Sequence, residues 1–327
     1  YGYNKEPEKM KFYSKAVDIH GQLILAEDGS VWNISGNSPS RISGLKNIVE
    51  IASGDSYYSA LDTKGQVWVW GYNGYGQLSQ GNTNNINEPT TVKIEKPKTD
   101  PKEETQYETL QDIVEIKAGN QNLEMITNAG EIYVSGYNRY GQLGTGKYST
   151  YNTIATKAKN MNQTKLIDSN SYHSIASDRS GFVYTTGYNA QGQLGNGTTQ
   201  TVSMPEKITG LDNQMVKIAA GGNLSAIIDS TGDVYVFGDN SKEQIEEFKY
   251  NYDQYGQKIM PPLNMYVSQP VKVQTIENAV KVQCLQTGIV VLKTDESVVR
   301  TKAFRVDSER LFFCFNLQNY SREEYLL

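Results

Sequence analysis

Cysteine and histidine are scarce in this 327-residue chain, with two of each: Cys284, Cys314, His20 and His173. Two cysteines cannot make a disulfide framework or a metal knuckle, and two histidines leave little material for a zinc site or a general base. Proline is sparse too, at 9 against 29 glycines. No run approaches ~18 apolar residues, so no segment reads as a membrane-spanning helix. Neither end is a basic tail, and the net charge of −5 argues against a chain-wide surface for duplex DNA. Tyr1 is neither an initiator Met nor the start of a basic-then-apolar leader, so the expectation is a mature or partial chain. What is abundant is tyrosine, at 23, and asparagine, at 27, while Lys outnumbers Arg 24 to 7. That bias suggests a bacterial protein, secreted or held at the cell surface, with a cytoplasmic location left open.

Three segments superpose: Trp70-Gly-Tyr-Asn-Gly-Tyr-Gly-Gln-Leu78, Ser135-Gly-Tyr-Asn-Arg-Tyr-Gly-Gln-Leu143 and Thr186-Gly-Tyr-Asn-Ala-Gln-Gly-Gln-Leu194. A turn and a β-rich run precede each, as in Lys64-Gly-Gln-Val-Trp68, and the same unit recurs at Asp28–Trp32, Thr231–Tyr235 and, degraded, Asp295–Val299. The turn anchors fall at 29, 65, 130, 181, 232 and 296, which gives spacings of 36, 65, 51, 51 and 64. Two charged or proline-bearing insertions, near 95–108 and 242–265, account for the long spacings. Upstream runs such as Ile48–Ala52, Ile113–Lys117 and Met215–Ala219 alternate apolar and polar residues, the mark of half-buried strands. Helical periodicity is absent. Four short antiparallel strands per repeat predict an all-β chain folded as a single β-propeller domain over 1–327.

The recurring pattern, Ile-x-(Ala/Ser)-Gly-x-x-(His)-Ser-x-(Ala)-Leu followed by Gly-x-Val-(Tyr/Trp)-x-x-Gly-x-Asn-x-x-Gly-Gln-Leu-Gly, resembles the regulator-of-chromosome-condensation repeat. The resemblance covers about residues 15–303 and is closest around 48–80, 113–146 and 165–197. It implies seven blades, although only six anchors are secure. Tyr1-Gly-Tyr-Asn4 reads as the end of a strand whose beginning matches Arg310–Asn316, so both termini are expected to close the last blade.

Several motifs suggest chemistry. Gly141-Gln-Leu-Gly-Thr-Gly146-Lys147 has phosphate-loop spacing, but Tyr148 stands where Ser or Thr must hold Mg²⁺, and no helix is expected to follow. His173 and Ser174 with Asp168 or Asp178 could make a hydrolytic triad. Yet the position of His173 is filled by Tyr57, Asn122, Leu224 and Gly288 in other repeats, which argues for turn shaping. The acids Asp28, Asp62, Asp178, Asp229 and Asp295 sit in turns rather than as converging pairs. No catalytic residue, metal or cofactor is therefore expected.

The expected function is a noncatalytic protein-binding scaffold, monomeric, taking neither nucleic acid nor membrane as partner. The resemblance offers guanine-nucleotide exchange on a small GTPase as the alternative. The loops after the first strand of each repeat vary while their flanking strands repeat. They nominate Asp55, Ser56, Tyr57, Asn120, Gln121, Ser171, Tyr172, Gly222 and Asn223 as partner contacts, with Tyr57 and Tyr172 foremost.

Overall fold

Each turn anchored by a repeat acid reverses one strand into the next. Asp62 Oδ1 accepts from the amides of Lys64 and Gln66 at 2.9 and 3.1 Å, and Gly65 takes the left-handed conformation the reversal needs (φ 75°). Asp178 and Asp229 repeat the arrangement. The degraded copy makes the same turn with Glu296 at φ 64°, a conformation strained for a residue with a Cβ.

A computed structural model describes residues 12 and 14–301, apart from 37, 171, 248 and 287. The described residues contain no helix and form six antiparallel blades in chain order. Blade 1 is Ala16–His20, Leu23–Ala26, Val31–Asn33 and Ser40–Arg41. Blade 2 is Ile48–Ser53, Tyr57–Asp62, Val67–Gly71 and Ile86–Thr91. Blade 3 is Ile113–Ala118, Asn122–Thr127, Ile132–Tyr137 and Tyr151–Lys157. Blade 4 is Thr164–Ser169, His173–Asp178, Val183–Gly187 and Val202–Lys207. Blade 5 is Met215–Gly221, Leu224–Asp229, Val234–Asp239 and Tyr266–Lys272. Blade 6 has three described strands, Ala279–Leu285, Gly288–Lys293 and Val298–Arg300. The expected closing blade, from residues 1–4 and 310–316, lies outside the described residues.

The core is divided among the joints between blades. One cluster joins Leu61, Val67 and Leu78 of blade 2 to Ile116 and Leu123 of blade 3, and four more fill the other joints along the series. The recurrent aromatic position belongs here: Trp68 packs into the joint of blades 1 and 2, and its Nε1 donates to Asp62 Oδ2 at 3.1 Å. First strands of successive blades pack on one another and so ring the axis. In each of them the register with the second strand slips at one place, and the slip sets Asp18, Glu50, Glu115, Leu166, Lys217 and Lys281 at a single level.

The two insertions leave opposite ends of the propeller. The first joins a fourth strand to the next first strand, and it is more than a loop. Its stems, Lys93–Glu95 and Tyr107–Thr109, extend blade 3, with Ile94 paired in parallel to Ala155 across the outer edge. This covers an edge that would otherwise be bare. The second lies between the third and fourth strands of blade 5 and carries a two-stranded ribbon, Asn251–Tyr252 with Lys258–Ile259.

Candidate functional site

Loops between first and second strands, and between third and fourth, leave the same end of every blade. The repeated Gly-x-Asn-x-x-x-Gln loop is built by its own buried amides. Asn73 Oδ1 accepts from Leu78 N at 2.8 Å, and Gln77 Oε1 from Tyr75 N at 3.0 Å. Asn138 with Gln142, and Asn189 with Gln193, do the same. Blade 5 has a fourth copy that its altered sequence conceals, Gly238-Asp-Asn240-Ser-Lys-Glu-Gln244-Ile245, with Asn240 Oδ1 on Ile245 N at 2.8 Å. The surviving signal is only the Gly-x-Asn-x-x-x-Gln spacing. The phosphate-loop look-alike is one of these structures: the Lys147 carbonyl is held by Asn138 Nδ2, and its side chain is exposed.

These rigid loops present a continuous arc of tyrosines across blades 2 to 4. Ring centroids run Tyr72–Tyr75 at 6.1 Å, Tyr75–Tyr137 at 5.3 Å and Tyr137–Tyr140 at 6.2 Å, all edge to face. Tyr140 then meets Tyr188 at 4.9 Å and Tyr172 at 5.8 Å. Such contacts hold the rings in fixed orientations. Tyr72 and Tyr172 are 40% and 43% exposed, so the packing leaves ring surface open. In blade 5 the equivalent loop positions are Asp239 and Lys242, and there the arc ends.

The nominated residues divide. Tyr172 stands in the arc, and Asp55, Ser56 and Asn120 are exposed on the same end. Gln121, Gly222 and Asn223 are half-buried there, and Ser171 lies outside the described residues. Tyr57 requires correction as a contact residue. It is fully buried, and its hydroxyl lies 3.0 Å from the Gly119 carbonyl and 2.5 Å from that of Asn122. It offers no surface to a partner. The arc's other five tyrosines lie in or beside the loop between the third and fourth strands, whereas the nominated contacts come from the loop after the first.

The regulator of chromosome condensation (RCC1) repeat matches residues 64–122 and 180–228, and a second form of that repeat matches 48–77 and 215–244. The chain belongs to the RCC1 repeat family. It is 30% identical to human E3 ubiquitin-protein ligase HERC2 over 236 residues, 68% of this chain and 5% of that protein. It is 29% identical to the Arabidopsis thaliana ultraviolet-B receptor UVR8 over 201 residues, 61% of this chain and 42% of the receptor. The chain thus spans less than half the length of these relatives. The solved structure of Prp20p from Saccharomyces cerevisiae superposes with a TM-score of 0.65 at 20% identity, over 85% of this chain and 68% of that one.

In RCC1-repeat terms, Tyr57, Asn122 and His173 share one position, opposite Gly71, Gly136 and Gly187. Each bonds to the next blade. Asn122 Nδ2 donates to Ser169 Oγ at 3.0 Å. His173 Nδ1 accepts from Asn170 Nδ2 at 3.1 Å, so Nε2 carries the proton and donates to Ser225 Oγ at 2.8 Å. Burial lowers this imidazole's pKa to about 4. The other members of the supposed triad are engaged separately: Ser174 Oγ lies on Glu124 and the Gln142 carbonyl, Asp168 accepts from Ala220 N, and Asp178 caps its turn. Near the axis, burial likewise raises the Glu50 carboxyl to about 8, although Ile116 N donates to it at 3.2 Å.

Proposed function

We propose that this RCC1-repeat propeller is a noncatalytic protein-binding scaffold that holds its partner on the tyrosine arc. The observation that supports the reading most directly is the run of contacting rings from Tyr72 to Tyr188 on rigid loops. Rigid tyrosine gives large contact area with few torsions left to freeze, and Asn, Gln, Ser and Gly around it supply adaptable hydrogen bonds, a composition like that of an antibody paratope. Charges on the described loops at this end of blades 2 to 4 are few: Asp55, Arg139 and Lys147. Binding here should therefore depend weakly on salt. Protein ligands suit the fold: the solved Prp20p structure is described by its binding to Gsp1p and histones.

The test begins with a partner captured from the source organism. Tyr140→Ala and Tyr172→Ala should each weaken its affinity about tenfold or more, as hot-spot tyrosines do. Tyr107→Ala, exposed at the outer edge of blade 3 on the first insertion, serves as control and should bind as wild type. Unchanged affinity in both arc variants would remove this face from the binding site.

A further inference from the structure

Glu124 is out of place in its register position. The equivalent residues of the other blades are Leu23, Ser59, Ile175, Ala226 and Val290. Blade 3 instead buries a carboxyl there, 1% exposed. Oε1 accepts from Ser174 Oγ at 2.8 Å and from Asn122 Nδ2 at 3.3 Å, while buried Oε2 has no hydrogen-bond partner. Glu124 lines a cavity of about 20 Å³ between blades 3 and 4, with Gln142, Ser174, Met161 and Ile167 in its wall. That is room for one water. The charged and titratable groups facing it are Lys117 across its own blade, Asp168 from blade 4 and the Tyr57 hydroxyl from blade 2.

Ser174 has one hydroxyl proton and two acceptors in reach, Glu124 Oε1 at 2.8 Å and the Gln142 carbonyl at 2.9 Å. A carboxylate at 124 draws that proton to itself, because charged acceptors form the stronger bond. Gln142 then gives up its bond from blade 4. A carboxylic acid protonated on Oε1 reverses the direction: Glu124 donates to Ser174 Oγ, and Ser174 donates to the Gln142 carbonyl. The unpartnered Oε2 is then a neutral carbonyl oxygen, far cheaper to bury than a charge. Its last two members adjoin the arc. Gln142 Oε1 holds the Tyr140 amide at 3.1 Å, and Ser174 follows Tyr172 by two residues.

We propose that Glu124 is a proton-operated latch: protonated, it locks blade 3 to blade 4 beneath Tyr140 and Tyr172, and ionised, it loosens that end of the arc. The regulatory consequence rests on the arc being the binding face. Burial raises this carboxyl to about 7. The folded chain therefore holds the proton more tightly than the unfolded one. Stabilisation by the latch is full below the ordinary carboxylate range and is lost as pH rises through about 7.

Tyrosine-selective carbon-13 NMR and thermal melts of the whole chain, from about pH 5.5 to about 8.5, test this. The Tyr140 and Tyr172 signals should titrate near pH 7 in wild type. In Glu124→Gln, a neutral amide of the same shape, they should stay at their low-pH positions. Superimposable titrations of wild type and Glu124→Gln overturn the latch. Should Glu124→Gln not fold, Ser174→Ala keeps the carboxyl and cuts the chain, and an unmoved tyrosine titration there overturns it equally. Partner affinity on the same samples should fall as the signals titrate. A tyrosine titration with flat affinity upholds the latch and removes the arc as the binding face.

Discussion

Tyr57, Asn122 and His173 differ in size, charge and chemistry, yet each passes a hydrogen bond to the following blade from one register position. Their variety follows the acceptor opposite: backbone carbonyls for Tyr57, the Ser169 hydroxyl for Asn122 and the Ser225 hydroxyl for His173. A single repeat does not reveal this, because the partner sits one repeat away. That is why a variable, aromatic position in a loop read as free surface when it is buried joint. The consequence at Tyr57 is specific. Tyr57→Phe removes one hydroxyl and leaves the Gly119 carbonyl without that donor in a buried place, at a cost of about 1–2 kcal/mol. Denaturant unfolding should show the loss, while partner affinity stays at the wild-type value. A drop in affinity with stability intact would return Tyr57 to the binding surface.

The loop is the element that turns repeat sequence into a binding face, and it separates two roles that the sequence merges. Its Asn and Gln are buried builders, and its tyrosines are what they display. Three copies were legible because Gly-Gln-Leu survives in them; the fourth was not, since blade 5 replaces the glycine with Glu243 and the tyrosines with Asp239 and Lys242. The two kinds of copy make a controlled comparison. Asn138→Ala removes the bonds to Leu143 N, the Lys147 carbonyl and Ser149 Oγ, and should cost about 2–3 kcal/mol. It also frees Tyr140, so binding should weaken with stability. Asn240→Ala strips an equally bonded loop that has no arc tyrosine. It should destabilise the fold comparably and leave affinity unchanged, as melting and titration on the same preparations would show. Equal losses of affinity in both variants would mean that binding tracks global stability rather than the arc.

At the scale of the whole propeller, the slipped register gathers charges that are far apart in sequence into one level around the axis. Blades 1 to 3 contribute Asp18, Glu50 and Glu115, while blades 5 and 6 contribute Lys217 and Lys281. Alternation in Ile48–Ala52 or Ile113–Lys117 placed these side chains on half-buried strands, but a bulge that shifts the pairing is invisible to periodicity. So the ring could not be foreseen. Burial raises all three acids, Glu50 furthest, to about 8, with Lys117 opposing and Glu115 and Asp18 reinforcing the shift. A carboxyl whose folded pKa lies above its unfolded value contributes stability that is present below the unfolded value and lost as pH rises through the folded one. His173, depressed to about 4, works in the opposite direction, since its release from protonation favours the fold as pH rises from about 4 to about 6.5. Below about 6.5 the two tendencies oppose each other; above it the acids act without that compensation. The chain should therefore lose stability most steeply between about 6.5 and about 7, where Glu50 and Glu124 act together, and Glu50→Gln should flatten the decline that continues to about 8. Glu124 falls away near 7, so the stretch from about 7 to about 8 isolates Glu50. Melting temperatures of wild type and Glu50→Gln across that stretch decide the matter. Parallel curves would mean that Glu50 is ionised in the folded chain, with its bond from Ile116 N sufficient to hold a buried charge.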